Sequence, residues 1–319
     1  VISQMAPIII LLGMGVVGVG VGWYVVYVRD HAIDRGLIDD AIFPTADAYR
    51  VVVPVANPKT QRDLLRLAAA TARAHADEKT PELVAVNVIQ RAEPSPEQNI
   101  AAERLERQHH LLEATREIAT EIGVSLRTVA MTGRHVDETI LEAILEENAD
   151  QVLLGWEGTR TRQGHVFGPN LDSVVENAPC EVCLVTLHDK TIGTTVALAD
   201  LGPHSPSAAR RAAEFATVDA TVPTLLNVQQ PAHDSESAVE RGEAVLEEVA
   251  REAGLEPEEY KSEVVVADDT ETAILETVNH YTTICVGLSE RSDASRMIFG
   301  TIAERISQEA TSNVGIVRG

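Results

Sequence analysis

Two stretches of this chain repeat each other at a fixed shift of 132 residues, and that duplication narrows the choice of fold more than any other feature. The shift lays Gly155 on Gly287, Phe167-Gly168 on Phe299-Gly300, and Val182 to Val185 on Val314 to Val317. Agreement in three separate places marks an internal duplication, and a period of this length is a whole domain rather than a solenoid unit. Within each copy, short β-branched runs alternate with amphipathic stretches, as in a parallel sheet covered by helices. The first copy predicts strands at 50–55, 82–89, 125–130, 151–154 and 182–185, with helices over 61–76, 97–122, 137–148 and 171–177 between them. The second copy predicts strands at 195–199, 224–228, 262–267, 283–286 and 314–317 in the same order.

The 319 residues leave room for an appendage before the duplication. From Ala6 to Val28 no residue is charged, and that length of helix would span about 34 Å against a hydrocarbon core of about 30 Å. A transmembrane helix over residues 6–28 is expected. Trp23, Tyr24 and Tyr27 would form its interfacial belt, and Arg29 and Arg35 place the two domains beyond it in the cytoplasm by the positive-inside rule. Gly13-Met-Gly15-Val-Val-Gly18 also fits a dinucleotide-binding turn, but the segment after it is poor in helix formers for water. Its glycines more simply allow close packing against other membrane helices. The chain thus divides into residues 1–38 (membrane helix and juxtamembrane segment), a linker at 39–48, and domains at 49–190 and 191–319.

A net charge of -23, from 26 basic against 49 acidic residues, repels phosphate backbones and excludes a nucleic-acid partner. Few lysines, abundant acidic residues and 3% aromatics look like a protein from a salt-loving archaeon; an ordinary acidic cytosolic protein is the alternative. Three cysteines, Cys180, Cys183 and Cys285, cannot build a disulfide framework. Cys180 and Cys183 fall at a buried strand, where residues three apart face opposite ways, so a metal or redox pair is not expected. Nor does any spacing mark a nucleophile with its base, so no catalytic residues are assigned.

Each copy ends its fourth strand at a glycine and opens a helix at another glycine. Such glycines let backbone amides approach a phosphate at a helix N-terminus, beside the carboxyl ends of the strands. They also serve simply as strand-to-helix turns. In the second copy the segment runs Gly287-Leu-Ser-Glu-Arg291-Ser-Asp-Ala-Ser-Arg-Met-Ile-Phe-Gly300-Thr301. This resembles the universal stress protein family, whose ATP-binding members carry Gly-x2-Gly-x9-Gly-[Ser/Thr] here. The resemblance covers about residues 49–319.

The resemblance implies an α/β architecture of two tandem flavodoxin-like domains, of the adenine nucleotide alpha hydrolase-like kind. Each would have a five-stranded parallel sheet, and the two would pair through their last strands as a pseudo-dimer; a homodimer is a further expectation. It also implies ATP or AMP as ligand, with any metal undetermined. In the first copy Gly155, Gly158 and Gly168 hold the glycine positions, but Pro169 replaces the hydroxyl residue. In the second, Gly287, Gly300 and Thr301 match, Glu290 takes the middle glycine position, and Arg291 is at hand to neutralise it. Asp200 stands where the family's nucleoside-contacting acid stands, and Ala56 takes that place in the first copy. If one site works, the second copy is the expected one.

The function expected is a cytoplasmic, stress-responsive, nucleotide-sensing module attached to a membrane protein. Tyr24-Val-Val-Tyr27-Val-Arg29, followed by Asp34-Arg35-Gly36, resembles the exit from the last helix of archaeal amino-acid permeases that carry such tails. The alternative is a non-nucleotide-binding dimerisation or interaction scaffold; a nucleotide hydrolase has fold analogy alone behind it.

Overall fold

The computed structural model describes residues 34–36, 47–90, 98–156, 169–189, 191–231, 235–288 and 301–319. The expected membrane helix at 6–28 lies outside these residues. Among the described residues no helix is long and apolar enough to cross a membrane.

Among the described residues the first element is β1 (Asp34–Gly36), followed by β2 (Ala48–Pro54), α1 (Gln61–Ala74), β3 (Thr80–Gln90), α2 (Gln98–Ile122) and β4 (Ser125–Gly133). The first half is completed by α3 (Val136–Glu146), β5 (Gln151–Gly155), α4 (Pro169–Asn177) and β6 (Glu181–Thr186). The second half repeats the pattern: β7 (Thr195–Leu198), α5 (Ser205–Ala216), a 3-10 turn (Thr217–Asp219), β8 (Thr224–Gln229), α6 (Ser235–Ala253) and β9 (Lys261–Val266). It ends with α7 (Thr270–Val278), β10 (Thr283–Gly287), α8 (Thr301–Glu309) and β11 (Asn313–Arg318).

The eleven strands among the described residues form one sheet, in the order β1-β4-β3-β2-β5-β6-β11-β10-β7-β8-β9. Each half contributes five parallel strands, and the halves meet where β6 and β11 pair antiparallel, Val314 opposite Thr186 and Arg318 opposite Val182. Asp34–Gly36 falls within the stretch expected to be juxtamembrane. As β1 it pairs antiparallel with β4, setting Asp34 against Thr132 and Gly36 against Ala130, and so covers main-chain groups that an edge strand leaves open.

Strands buried on both faces need apolar residues throughout, which is why β2 reads Val51-Val52-Val53. Val51 and Val53 join the core beneath α1, α2, α5 and α6, while Val52 faces the core beneath α3, α4, α7 and α8. Cys183 lies in the first core and Cys180 packs on the second, so the two cysteines do point to opposite faces, and all three cysteines are free. Helix α1 forms because its sequence is rich in Ala and Leu, and its buried stripe includes Leu64, Leu67, Ala68 and Ala72. Asp63 in its first turn and Arg73 in its last suit the helix dipole.

The duplication is broken at the junction between halves. Asn313 begins β11 and is 1% exposed; its Oδ1 accepts the amides of His188 and Asp189, both at 2.9 Å, and its Nδ2 donates to the Thr191 carbonyl at 2.8 Å. It therefore ties down the link between the two halves. The 132-residue shift places Glu181 at the matching position of the first half, and Glu181 instead bonds Arg211. Arg211, on α5, also donates to Thr71 of α1 at 2.8 Å and to Glu214.

One guanidinium therefore faces two carboxylates in a dry site. Burial pushes the Glu214 carboxyl up to about 7, with Arg211 pulling the other way and Glu181 adding to the rise. A carboxyl raised in the folded state contributes stability that is fully present below its unfolded value of 4.5 and lost as pH rises through 7. Unfolding free energy should thus fall across this window with a slope of up to about 1.4 kcal/mol per pH unit. Urea midpoints at pH 5, 6, 7 and 8 should show that slope in the wild type and a flatter profile in Glu214→Gln; parallel profiles would refute the assignment.

Candidate functional site

The described candidates stand at the carboxyl ends of the parallel strands, and because the halves meet antiparallel at β6 and β11, those of the first half and those of the second lie at opposite ends of the sheet. Gly155 closes β5 and Gly287 closes β10. Asp200 comes two residues after the end of β7, and Thr301 opens α8. Gly158, Gly168, Arg291 and Gly300 lie outside the described residues, as does Glu290.

In the second half, Asp200 and Gly287 converge on the N-terminus of α5. One oxygen of Asp200, Oδ1, accepts the Gly202 amide at 2.8 Å and the Ser205 hydroxyl, while the Asp200 amide donates to the same hydroxyl at 3.2 Å. Asp200 is exposed, but this oxygen is engaged by its own turn and helix. A Cβ on Gly287 would sit 2.8 Å from the His204 carbonyl carbon, 2.9 Å from its oxygen and 3.0 Å from the Ser205 nitrogen. The strand end and the helix N-terminus touch backbone to backbone, which explains the glycine without any ligand. His204 is buried there, and its Nδ1 accepts the Gly319 amide at 3.1 Å, fastening the end of β11 to the same turn.

Gly155 holds the matching motif position for a different reason. Its added Cβ would meet the tip of Leu64, Cδ1, at 2.8 Å, and a side-chain tip can turn aside. Gly287→Ala should therefore cost about 1–3 kcal/mol by forcing backbone apart, whereas Gly155→Ala should cost under about 1 kcal/mol. Thermal unfolding of the two variants tests the difference, and equal losses would contradict it.

In the first half an open cleft of about 690 Å³ lies between α1 and α2, above the ends of β2 and β3. Ala56, Pro58, Val88, Leu111 and Ala114 give it apolar walls. Asn87 stands in the cleft lining and is 4% exposed, and its Nδ2 donates to the Val55 carbonyl at 2.7 Å. Gln61, also in the lining, ties α1 to α2 by donating to the Leu111 carbonyl at 2.9 Å and to Thr115. Arg107 and His110 line the cleft with exposed positive or titratable groups, in a chain whose net charge is -23. Sequence reasoning missed this cleft. The available signal was an asparagine set in an otherwise apolar second strand of each copy, Val86-Asn87-Val88 and Leu226-Asn227-Val228.

The universal stress protein family model matches residues 49–186 and 193–318. Among curated proteins, the Na(+)/H(+) antiporter NhaS5 of Synechocystis sp. is 23% identical over 274 residues, which is 85% of this chain and 38% of the antiporter. The chain thus spans little more than a third of that relative. Among solved structures, a universal stress protein from Archaeoglobus fulgidus is similar at a TM-score of 0.57 with 18% identity, covering 84% of this chain and 95% of that one. The cytoplasmic domain of a prokaryotic cation chloride cotransporter is similar at a TM-score of 0.52 with 12% identity, covering 85% of this chain and 95% of that one. At such identities the structures speak for the fold alone. The two family matches fall on the two halves of the duplicated sheet, and the chain belongs to the universal stress protein family as a tandem of two copies.

Proposed function

We propose that this chain is the cytoplasmic regulatory module of a membrane transporter, and that it reads the level of an adenine nucleotide, ATP or AMP. The observation that carries the reading is the match over 85% of the chain to part of an Na(+)/H(+) antiporter. It supports a cation transporter as the attached membrane domain; the amino-acid permease rests on the short stretch from Tyr24 to Gly36 alone. Asp200, Gly287, Arg291, Gly300 and Thr301 in the second half, and Gly155, Gly158 and Gly168 in the first, are the proposed nucleotide-contacting positions. No catalytic role is assigned to any of them. A sheet continuous through β6 and β11 gives a ligand bound in one half a rigid path to the other.

The test is transport by the full-length protein in membrane vesicles, with and without residues 49–319, at varied ATP and AMP. A nucleotide response that disappears with the tail is expected, and transport indifferent to nucleotide in both forms would sink the proposal. A second reading, an interaction scaffold that binds no nucleotide, is favoured by the engagement of Asp200 Oδ1 with Gly202 and Ser205. Calorimetry on the purified chain separates the two: heat of binding for either nucleotide speaks for sensing.

A further inference from the structure

The two halves place the same asparagine at the same point of the sheet and surround it differently. Asn87 in β3 and Asn227 in β8 each donate through Nδ2 to the carbonyl just past the neighbouring strand, to Val55 at 2.7 Å and to Ala199 at 2.6 Å. A carbonyl accepts only, so the amide must turn its nitrogen there and its oxygen the other way. In the second half that oxygen accepts the side-chain amide of Gln229 at 2.7 Å. In the first half the residue two positions on is Ile89, which has no donor, and Asn87 Oδ1 is buried without a hydrogen-bond partner. A buried acceptor left so costs about 1–3 kcal/mol, and Asn87 lines the 690 Å³ cleft.

The helices above differ in the same sense. Gly123 and Gly254 end α2 and α6 in the left-handed region, at φ 71° and 76°. Twelve residues before each stand Leu111 and Gly242. A Cβ on Gly242 would lie 2.4 Å from Val264 and 3.2 Å from Asn227 Oδ1, so α6 sits directly over its asparagine. Leu111 instead forms a wall of the open cleft.

We infer that the first half, not the second, receives the base of the ligand, with Asn87 Oδ1 accepting an N–H from it and Gln229 filling the equivalent place in the second half. The inference rests on the nucleotide-sensing reading and assigns its half. Apolar walls suit the faces of a flat heterocycle; Oδ1 selects a ring or exocyclic N–H; Arg107 and His110 suit an anionic tail. The ligand class is a nucleotide whose base carries an amino or imino donor, as adenine does.

The closing experiment is calorimetric titration of the purified chain with AMP. Ile89→Gln supplies the first half with the side chain that caps Asn227, at a half-buried position that accepts a polar residue, and should weaken AMP at least tenfold without lowering the unfolding temperature of the free protein. Ala114→Met, which adds bulk to the cleft wall from α2, should do the same. Affinity that survives both first-half changes would overturn this inference and leave nucleotide sensing intact; a wild-type chain that binds neither AMP nor ATP would overturn the sensing reading, and the inference with it.

Discussion

Replacing Arg211 by methionine is expected to cost about 3–5 kcal/mol of stability, because it strands two carboxylates in the interior. The Arg211 side chain is 1% exposed and Glu214 4%, so Glu214 cannot recover water by turning outward, and Glu181 at 15% does so only in part. Burial alone would lower the Arg211 pKa, and the two glutamates outweigh it and raise it. The guanidinium also joins the halves, since Thr71 and Glu181 belong to the first and Glu214 to the second. Urea unfolding should show a lower midpoint and, with this tie lost, a separation of the single transition into two. Adding apolar replacements at Glu181 and Glu214 should restore most of the loss, because a well-packed apolar cluster can equal or exceed a buried ionic one. A loss under about 1 kcal/mol from Arg211→Met alone would show the cluster to be hydrated and weak.

Replacing Glu82 by leucine should cost about as much, again about 3–5 kcal/mol. Glu82, with a side chain 1% exposed, bridges two guanidiniums: Arg50 Nε at 2.7 Å and Arg127 Nε at 2.8 Å. Arg127 has a second partner in Glu147, and Arg50 reaches the Glu147 carbonyl at 3.3 Å. Strand register builds this cluster: Arg50 stands opposite Glu82 on β3, and Arg127 on β4 stands opposite Val84, two pairs further along. It lies toward the amino ends of the strands, away from the candidate site. Glu82→Leu should therefore lower the unfolding midpoint while leaving AMP affinity of the folded protein unchanged within twofold; a large affinity change at full occupancy of the folded state would contradict that separation.

The positions of the elements were legible because each rests on short-range pattern. Valine runs bounded by Pro, Asn and Gly place the strands, and Ala- and Leu-rich stripes place helices such as α1, found at Gln61–Ala74 against the expected 61–76. Boundaries moved where pairing carried a strand past its apolar run. β3 begins at Thr80, which pairs with Ala48 of β2, and β4 continues to Gly133, which pairs with Gln90 of β3. Hydrogen bonds of the main chain do not depend on side-chain hydrophobicity, so sequence patterning cannot see them.

The functional residues divide the same way. The family resemblance pointed to Asp200 and the repeated glycine loop to Gly287, and the fold does bring both to the N-terminus of α5. Spacing could not tell that Gly287 is needed for a backbone contact or that Asp200 Oδ1 is already engaged, since His204 and Ser205 meet Gly287 only through the closed sheet.

By itself the sequence determined that this is a duplicated α/β chain, how its strands succeed one another, and where its glycine loops fall, because duplication and periodicity are local properties of the residue string. Only the tertiary structure decided which charges are buried and which asparagine is left open. No spacing in Ala-rich α5 marks Arg211 as an interior residue, and it is buried because α1 of the other half closes over it. Asn87 and Asn227 read alike, and the difference between them comes from Ile89 against Gln229 and from Leu111 against Gly242, contacts made by side chains from other turns and other helices. Desolvation and hydrogen-bond satisfaction depend on everything packed around a group, and that environment exists only once the chain has folded.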